Sequence, residues 1–143
     1  MPDWKTPMSA IKTGTGRMLR DGRDVALLAL GPVGTDAAEA CRILEKEGIS
    51  AALYDLRFLK PIDQDLLRDV FTRFDRIVTI EDGSISGGAG SAVLEFMADN
   101  GFRATVKRLG IPDRFVEQGT VAELRRECGF DTEGILQTVR TLI

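Results

Sequence analysis

Val25-Ala26-Leu27-Leu28-Ala29-Leu30 contains no polar residue. A continuous apolar run of this length marks a strand covered on both faces. Gly31-Pro32-Val33-Gly34 breaks it, and Thr35 then reads as the N-cap of a helix reaching about Glu47. Ala37, Ala40, Cys41 and Leu44 fall on one face of that helix, and Gly48 supplies its stop. The unit repeats. Ala51 to Tyr54 predicts a second strand, and Asp63 to Phe74 a helix whose apolar line is Leu66, Leu67, Val70, Phe71 and Phe74. Ile77 to Ile80 predicts a third buried strand, rich in β-branched residues.

A glycine-rich turn, Gly83 to Gly90, leads into a helix ending near Asn100-Gly101. Its residues are apolar almost all round, which predicts burial on more than one side. Ala104 to Leu109 reads as a fourth strand, and Gly110 to Thr120 as a long connection. Thr120 to Glu123 spells a capping box for a helix stopping at Cys128-Gly129, and a last helix runs from about Asp131. Gly16 to Leu19 is a short extended candidate before the turn signal Asp21-Gly22, and residues 1–15 read as a linker or arm. Strands alternating with helices at this spacing imply βαβ units. The expectation is a three-layer α/β/α domain over residues 16–143 with a largely parallel sheet.

At 143 residues and 43% hydrophobic, the chain is long enough to bury one core without staples. A net charge of −3, with scattered arginines, argues against a nucleic-acid surface. No apolar run suits a signal peptide or a membrane span, so a cytoplasmic protein with reduced thiols is expected. Cys41 and Cys128 read as buried small hydrophobes. The chain has no histidine, which removes Ser-His-Asp and Cys-His catalysis and nearly every zinc site.

Ligands of open α/β sheets bind beyond the carboxyl ends of the strands. Gly31, Gly34 and Thr35 stand at such an end and offer a possible anion loop, with a tight βα turn as the plainer reading. Gly83 to Gly90 lacks the Gly-Lys-Ser/Thr ending of a phosphate loop and the third glycine of a dinucleotide fingerprint. Gly87, Gly88 and Gly90 are better read as points of close approach to another backbone, inside the domain or across an interface. Glu81 and Asp82 point to opposite sides of an extended chain and read as solvated or capping acids. Asp55 and Arg57 share a face and suggest an ion pair. Phe115 and Val116, at the centre of a long loop, are expected to anchor it to the core or to a neighbour. No set of nucleophile, base and oxyanion donors assembles, so no catalytic, cofactor-binding or metal-binding residue is assigned.

Tyr54-Asp55-Leu56-Arg57-Phe58-Leu59-Lys60-Pro61-Ile62-Asp63 resembles the transketolase C-terminal domain superfamily, as do Thr79 to Gly83 and Gly87 to Ser91. That superfamily is shared by transketolase-like synthases and the beta subunits of 2-oxo acid dehydrogenases. Leu109 to Thr120, with Glu123-Leu124 and Cys128 to Asp131, is similar to the 1-deoxy-D-xylulose-5-phosphate synthases in particular. The resemblance runs from Trp4-Lys5-Thr6-Pro7 to the end of the chain. It implies a five-stranded sheet whose first strand is antiparallel and lies beside the second parallel strand, whereas Asp21-Gly22 by itself suggests a hairpin with Val25 to Leu30.

The resemblance further implies a homodimeric enzyme that condenses pyruvate with D-glyceraldehyde 3-phosphate and releases carbon dioxide, feeding isoprenoid, thiamine and pyridoxal phosphate synthesis. Its diphosphate and Mg²⁺ sites belong to an N-terminal domain, and the glutamate that activates the thiamine diphosphate belongs to a middle domain. This chain would bind neither cofactor and be inactive alone, packing against the middle domain and supporting the dimer, with Gly87, Gly88, Gly90 and Phe115 expected to face that neighbour. The second reading is a stand-alone module holding a regulatory anion or a partner protein, or the C-terminal domain of a 2-oxo acid dehydrogenase beta subunit.

Overall fold

The computed structural model describes residues 9–143, so most of the expected arm, Met1 to Met8, lies outside the described residues. Five strands, β1 (Arg17–Arg20), β2 (Val25–Leu30), β3 (Ala51–Asp55), β4 (Arg76–Ser84) and β5 (Thr105–Ile111), form one sheet in the order β1-β3-β2-β4-β5. All neighbours are parallel except β1, which runs antiparallel to β3 with Arg17 opposite Asp55 and Met18 opposite Tyr54.

The hairpin suggested by Asp21-Gly22 does not form. Both edges of β2 are taken by β3 and β4, as its apolar run demands, and the turn instead carries the chain across the start of β3. Gly22 is buried there, and a side chain on it would overlap the backbone of Ala51 and Ala52.

The helices are α1 (Gly34–Lys46), α2 (Gln64–Arg73), α3 (Ala89–Asp99), α4 (Val121–Glu127) and α5 (Thr132–Arg140). On one face of the sheet Ala37, Cys41 and Leu44 of α1 and Ile135, Leu136 and Val139 of α5 pack on Leu27, Leu53, Val78 and Ile80. On the other, Leu67, Val70 and Phe71 of α2 and Val93 and Phe96 of α3 cover Leu28, Tyr54 and Ile77. The apolar helix faces read from the sequence are the buried ones. Cys41 is buried, and its thiol is pushed up to about 11 by burial; Cys128 is half-buried against the same core.

Two helix details differ from expectation. α1 begins two residues early, because Val33 already has helical dihedrals and occupies the N-cap position. Thr35 therefore lies inside the first turn, where its hydroxyl donates to the Pro32 carbonyl at 3.0 Å. α3 is buried on one side only, through Ala89, Gly90, Val93 and Phe96, while Ala98 is exposed and Ala92, Leu94 and Met97 are half-buried. α4 carries no buried residue, although its capping box between Thr120 and Glu123 forms as read.

Candidate functional site

In the order β1-β3-β2-β4-β5 the connection out of β2 leads to β3 and that out of β4 leads the opposite way to β5, so the order of strands reverses between β2 and β4. The general rule for open α/β sheets places a crevice there, beyond the carboxyl ends of the strands. A cleft of about 480 Å³ lies at that point, walled by Leu30, Gly31 and Pro32 on one side and by Glu81 to Ser84 and Ser86 to Gly88 on the other. Leu59 closes one end.

Its architecture follows from Glu81. This carboxylate is buried and accepts hydrogen bonds from the amides of Ala89 at 2.7 Å and Gly90 at 3.0 Å, the first two residues of α3. A helix N-terminus leaves its first amides without partners and favours negative charge. Here the chain's own carboxylate fills that position eight residues downstream of itself, which makes Glu81 a capping acid. Asp82 turns the other way, as adjacent residues of a strand must, and receives Arg125 at 2.9 Å.

The glycine loop is held from within. Arg108 Nη1 donates to the Ile85 carbonyl at 2.7 Å and to Ser91 Oγ at 2.9 Å, and the Gly87 amide donates to Ser91 Oγ at 3.1 Å. Ile85 N–H reaches the carbonyl of Ile111 at 2.9 Å. Gly88 and Gly90 are required by close approach inside the domain. A Cβ on Gly88 would overlap Glu81 Oε2 and the Ser84 carbonyl, and one on Gly90 would sit 2.5 Å from Thr79 Oγ1 and 2.9 Å from Arg108. Gly87 is exposed with a positive φ of 73°, and it shares the cleft wall with Gly88, whereas Gly90 is enclosed.

Of the three residues read as an anion loop, only Gly31, with φ 86°, borders the cleft. The Gly34 and Thr35 amides point back at the Gly31 and Pro32 carbonyls, at 3.2 and 3.4 Å. Among the described residues no basic side chain lines the cleft, and its charged lining residues are Glu81 and Asp82.

Arg125 is the residue that sequence reasoning missed. Its guanidinium forks between Asp36 of α1 and Asp82 of β4, each at 2.9 Å, and Thr132 of α5 joins Asp36 at 3.2 Å. One side chain thus ties α4 to the two elements that flank the cleft. Asp55, expected to pair with Arg57, does so at 3.8 Å and also accepts from Arg17 at 3.1 Å.

The long connection splits its two apolar residues. Val116 turns inward to line a small cavity of about 170 Å³ with Ile111, Leu124, Cys128 and Phe130. Phe115 makes no such contact: it stands fully in solvent, at 104% relative exposure. Of the two anchorages expected, to the core or to a neighbour, Val116 takes the first and Phe115 does not.

The family model described as transketolase, C-terminal domain, matches residues 14–135. A 1-deoxy-D-xylulose-5-phosphate synthase from Cytophaga hutchinsonii is 55% identical over 142 residues, covering 99% of this chain and 22% of its own length. The protein of the same name from Bacteroides thetaiotaomicron is 56% identical over 134 residues, covering 93% and 21%. A solved structure titled as a split gene transketolase, inactive beta4 tetramer, superposes with a TM-score of 0.88 at 34% identity, over 98% of this chain and 46% of that one. The transketolase of Campylobacter jejuni, at 16% identity and a TM-score of 0.64 over 90% of this chain and 18% of its own, shares the fold. The chain spans about a fifth of the length of the curated relatives it matches.

Proposed function

We propose that this chain, which belongs to the transketolase C-terminal domain family, is the C-terminal domain of a 1-deoxy-D-xylulose-5-phosphate synthase. One observation carries the reading: a synthase of that name is 55% identical across 99% of this chain, yet the match occupies only 22% of the synthase. The activity then belongs to the whole polypeptide, which joins pyruvate to D-glyceraldehyde 3-phosphate with loss of carbon dioxide as a cytoplasmic homodimer.

The thiamine diphosphate and Mg²⁺ of such an enzyme do not fit the residues of this chain. The α3 N-terminus, where a diphosphate would find free amides, is filled by Glu81, and among the described residues the adjoining cleft has acidic but no basic lining residues. Among the described residues no three His, Cys, Asp or Glu side chains converge as a metal ion needs. The same geometry weighs against a regulatory anion at Gly31, Gly34 and Thr35. What the chain contributes is a rigid, braced surface, with Gly87, Gly88 and Phe115 as its candidate contacts to the N-terminal and middle domains.

The test compares the full-length protein with this chain alone, both supplied with pyruvate, D-glyceraldehyde 3-phosphate, thiamine diphosphate and Mg²⁺. Full-length protein is expected to release carbon dioxide and form the deoxy-sugar phosphate, and the isolated chain to do neither. Full-length protein that leaves pyruvate unconsumed, or an isolated chain that turns over, refutes the proposal.

A further inference from the structure

Phe115 is presented, not merely exposed. Its loop is fixed at one end where Ile111 accepts from the Ile85 amide, at the other by the Thr120 capping box, and underneath by Val116. Arg114 pairs with Glu127 at 3.1 Å, and its amide bonds the Pro112 carbonyl at 2.8 Å. A braced loop that holds a whole aromatic side chain in water is unusual for a lone domain, because burying such a ring is strongly favourable. Beside the ring lies a shallow hollow of about 490 Å³, lined by Ser84, Ile111, Pro112, Asp113, Arg114 and Phe115. Ser84 also lines the switch-point cleft, so the two depressions adjoin.

The polypeptide enters the domain at the same end of the sheet, although β1 and β5 are its opposite edge strands. β1 begins at Arg17 opposite Asp55, the last residue of β3, so the chain reaches the sheet at the carboxyl ends of the parallel strands. Just before it, the Gly16 amide bonds Asp63 at 2.8 Å and Gly14 backs onto Pro61, which fixes the entry path on that side. In the curated relatives, the part not matched by this chain makes up most of the length.

We infer that the Phe115 knob, with the hollow and cleft beside it, is the seat of the preceding domain of the same polypeptide. The inference rests on the reading of this chain as one domain of a synthase. Phe115 acts as the aromatic anchor that a polypeptide surface of this kind uses, ringed by the polar groups of Asp113, Arg114 and Ser84.

The test places a cysteine at the knob, Phe115→Cys, and follows its alkylation by peptide mass in the isolated chain and in the full-length protein. Phe115 is fully exposed, so the variant domain is expected to keep its melting temperature, which a thermal scan of the isolated chain checks. The cysteine should react at least about tenfold more slowly in the full-length protein than in the isolated chain. Equal rates would overturn the inference. Protection that instead appears in the isolated chain and grows with its concentration would assign the knob to a second copy and overturn it too. Synthase activity is assayed on the same full-length sample. A protected knob in a protein without that activity would sink the functional reading and leave the surface standing; an unprotected knob in an active enzyme would do the reverse.

Discussion

Glu81, near the end of β4, bonds the amide of Ala89, the first residue of α3, at 2.7 Å with its carboxylate buried. The contact joins a strand to the next helix across the glycine loop, and it decides how that loop is shaped. Replacing Glu81 with alanine leaves two helix amides without partners in a buried place. The expected loss is about 2–3 kcal/mol of unfolding free energy, with a smaller loss for Glu81→Gln, which keeps one acceptor. Urea unfolding of the isolated chain checks both, and an alanine variant as stable as the parent would remove Glu81 from this role.

Gly88→Val is expected to damage the domain itself, since its side chain would overlap the Glu81 carboxylate and the Ser84 carbonyl. Overpacking of this kind costs about 2 kcal/mol or more. A fall in melting temperature of the isolated chain is the readout. The result bears on function as well: a Gly88 variant that impaired the intact enzyme would not by that fact identify an interface.

Arg125→Met leaves Asp36 and Asp82 without their shared cation. α4 buries no side chain, so amide exchange over residues 121–127 should rise markedly while the sheet stays protected. The stability cost is about 1–2 kcal/mol at low salt and shrinks as salt screens the pairs. Lysine cannot fork between two carboxylates, so Arg125→Lys is expected to restore little. Exchange mass spectrometry settles the matter, and unchanged exchange in α4 would contradict the bracing role.

Alkaline pH tests the burial of Cys41. Its thiol ionises at about 11 in the folded chain against 9.0 for the unperturbed group, so the unfolded chain gives up this proton first. The stability associated with the neutral thiol is complete below pH 9.0 and drains away as pH rises towards about 11. Unfolding curves for the parent and for Cys41→Ala should therefore converge over that interval, apart from a constant offset for the lost sulfur. Parallel curves would mean that Cys41 is accessible.

Much of this molecule is readable along the chain because the determinants are local. Val25 to Leu30 announces a central strand by lacking polar residues, and Thr120 and Glu123 find each other three residues apart. What escaped lies across long separations. Arg125 meets Asp36 over 89 residues and Asp82 over 43, and no periodicity in α4 marks it as different from Arg126 beside it. Asp21-Gly22 misled for the opposite reason: a turn signal says that the chain reverses, not which strand it reverses beside. The likeness to a known domain family supplied that order, and residue patterns alone did not. The glycine loop lay between these cases. Its close approach was legible, but the partner, Glu81, was hidden because a buried carboxylate and a solvated one look alike in a sequence.

The placement of β1 sets the timetable by which the domain comes together. It is the first of the five strands to leave the ribosome, yet its partner residue Asp55 follows Arg17 by 38 positions. Until β3 has emerged and paired with β2, β1 has no edge to join, and Met18 and Leu19 have no strand beside them. Synthesis and assembly therefore run in different orders here. The first strand made docks only after β2 and β3 have paired, out of the order of synthesis.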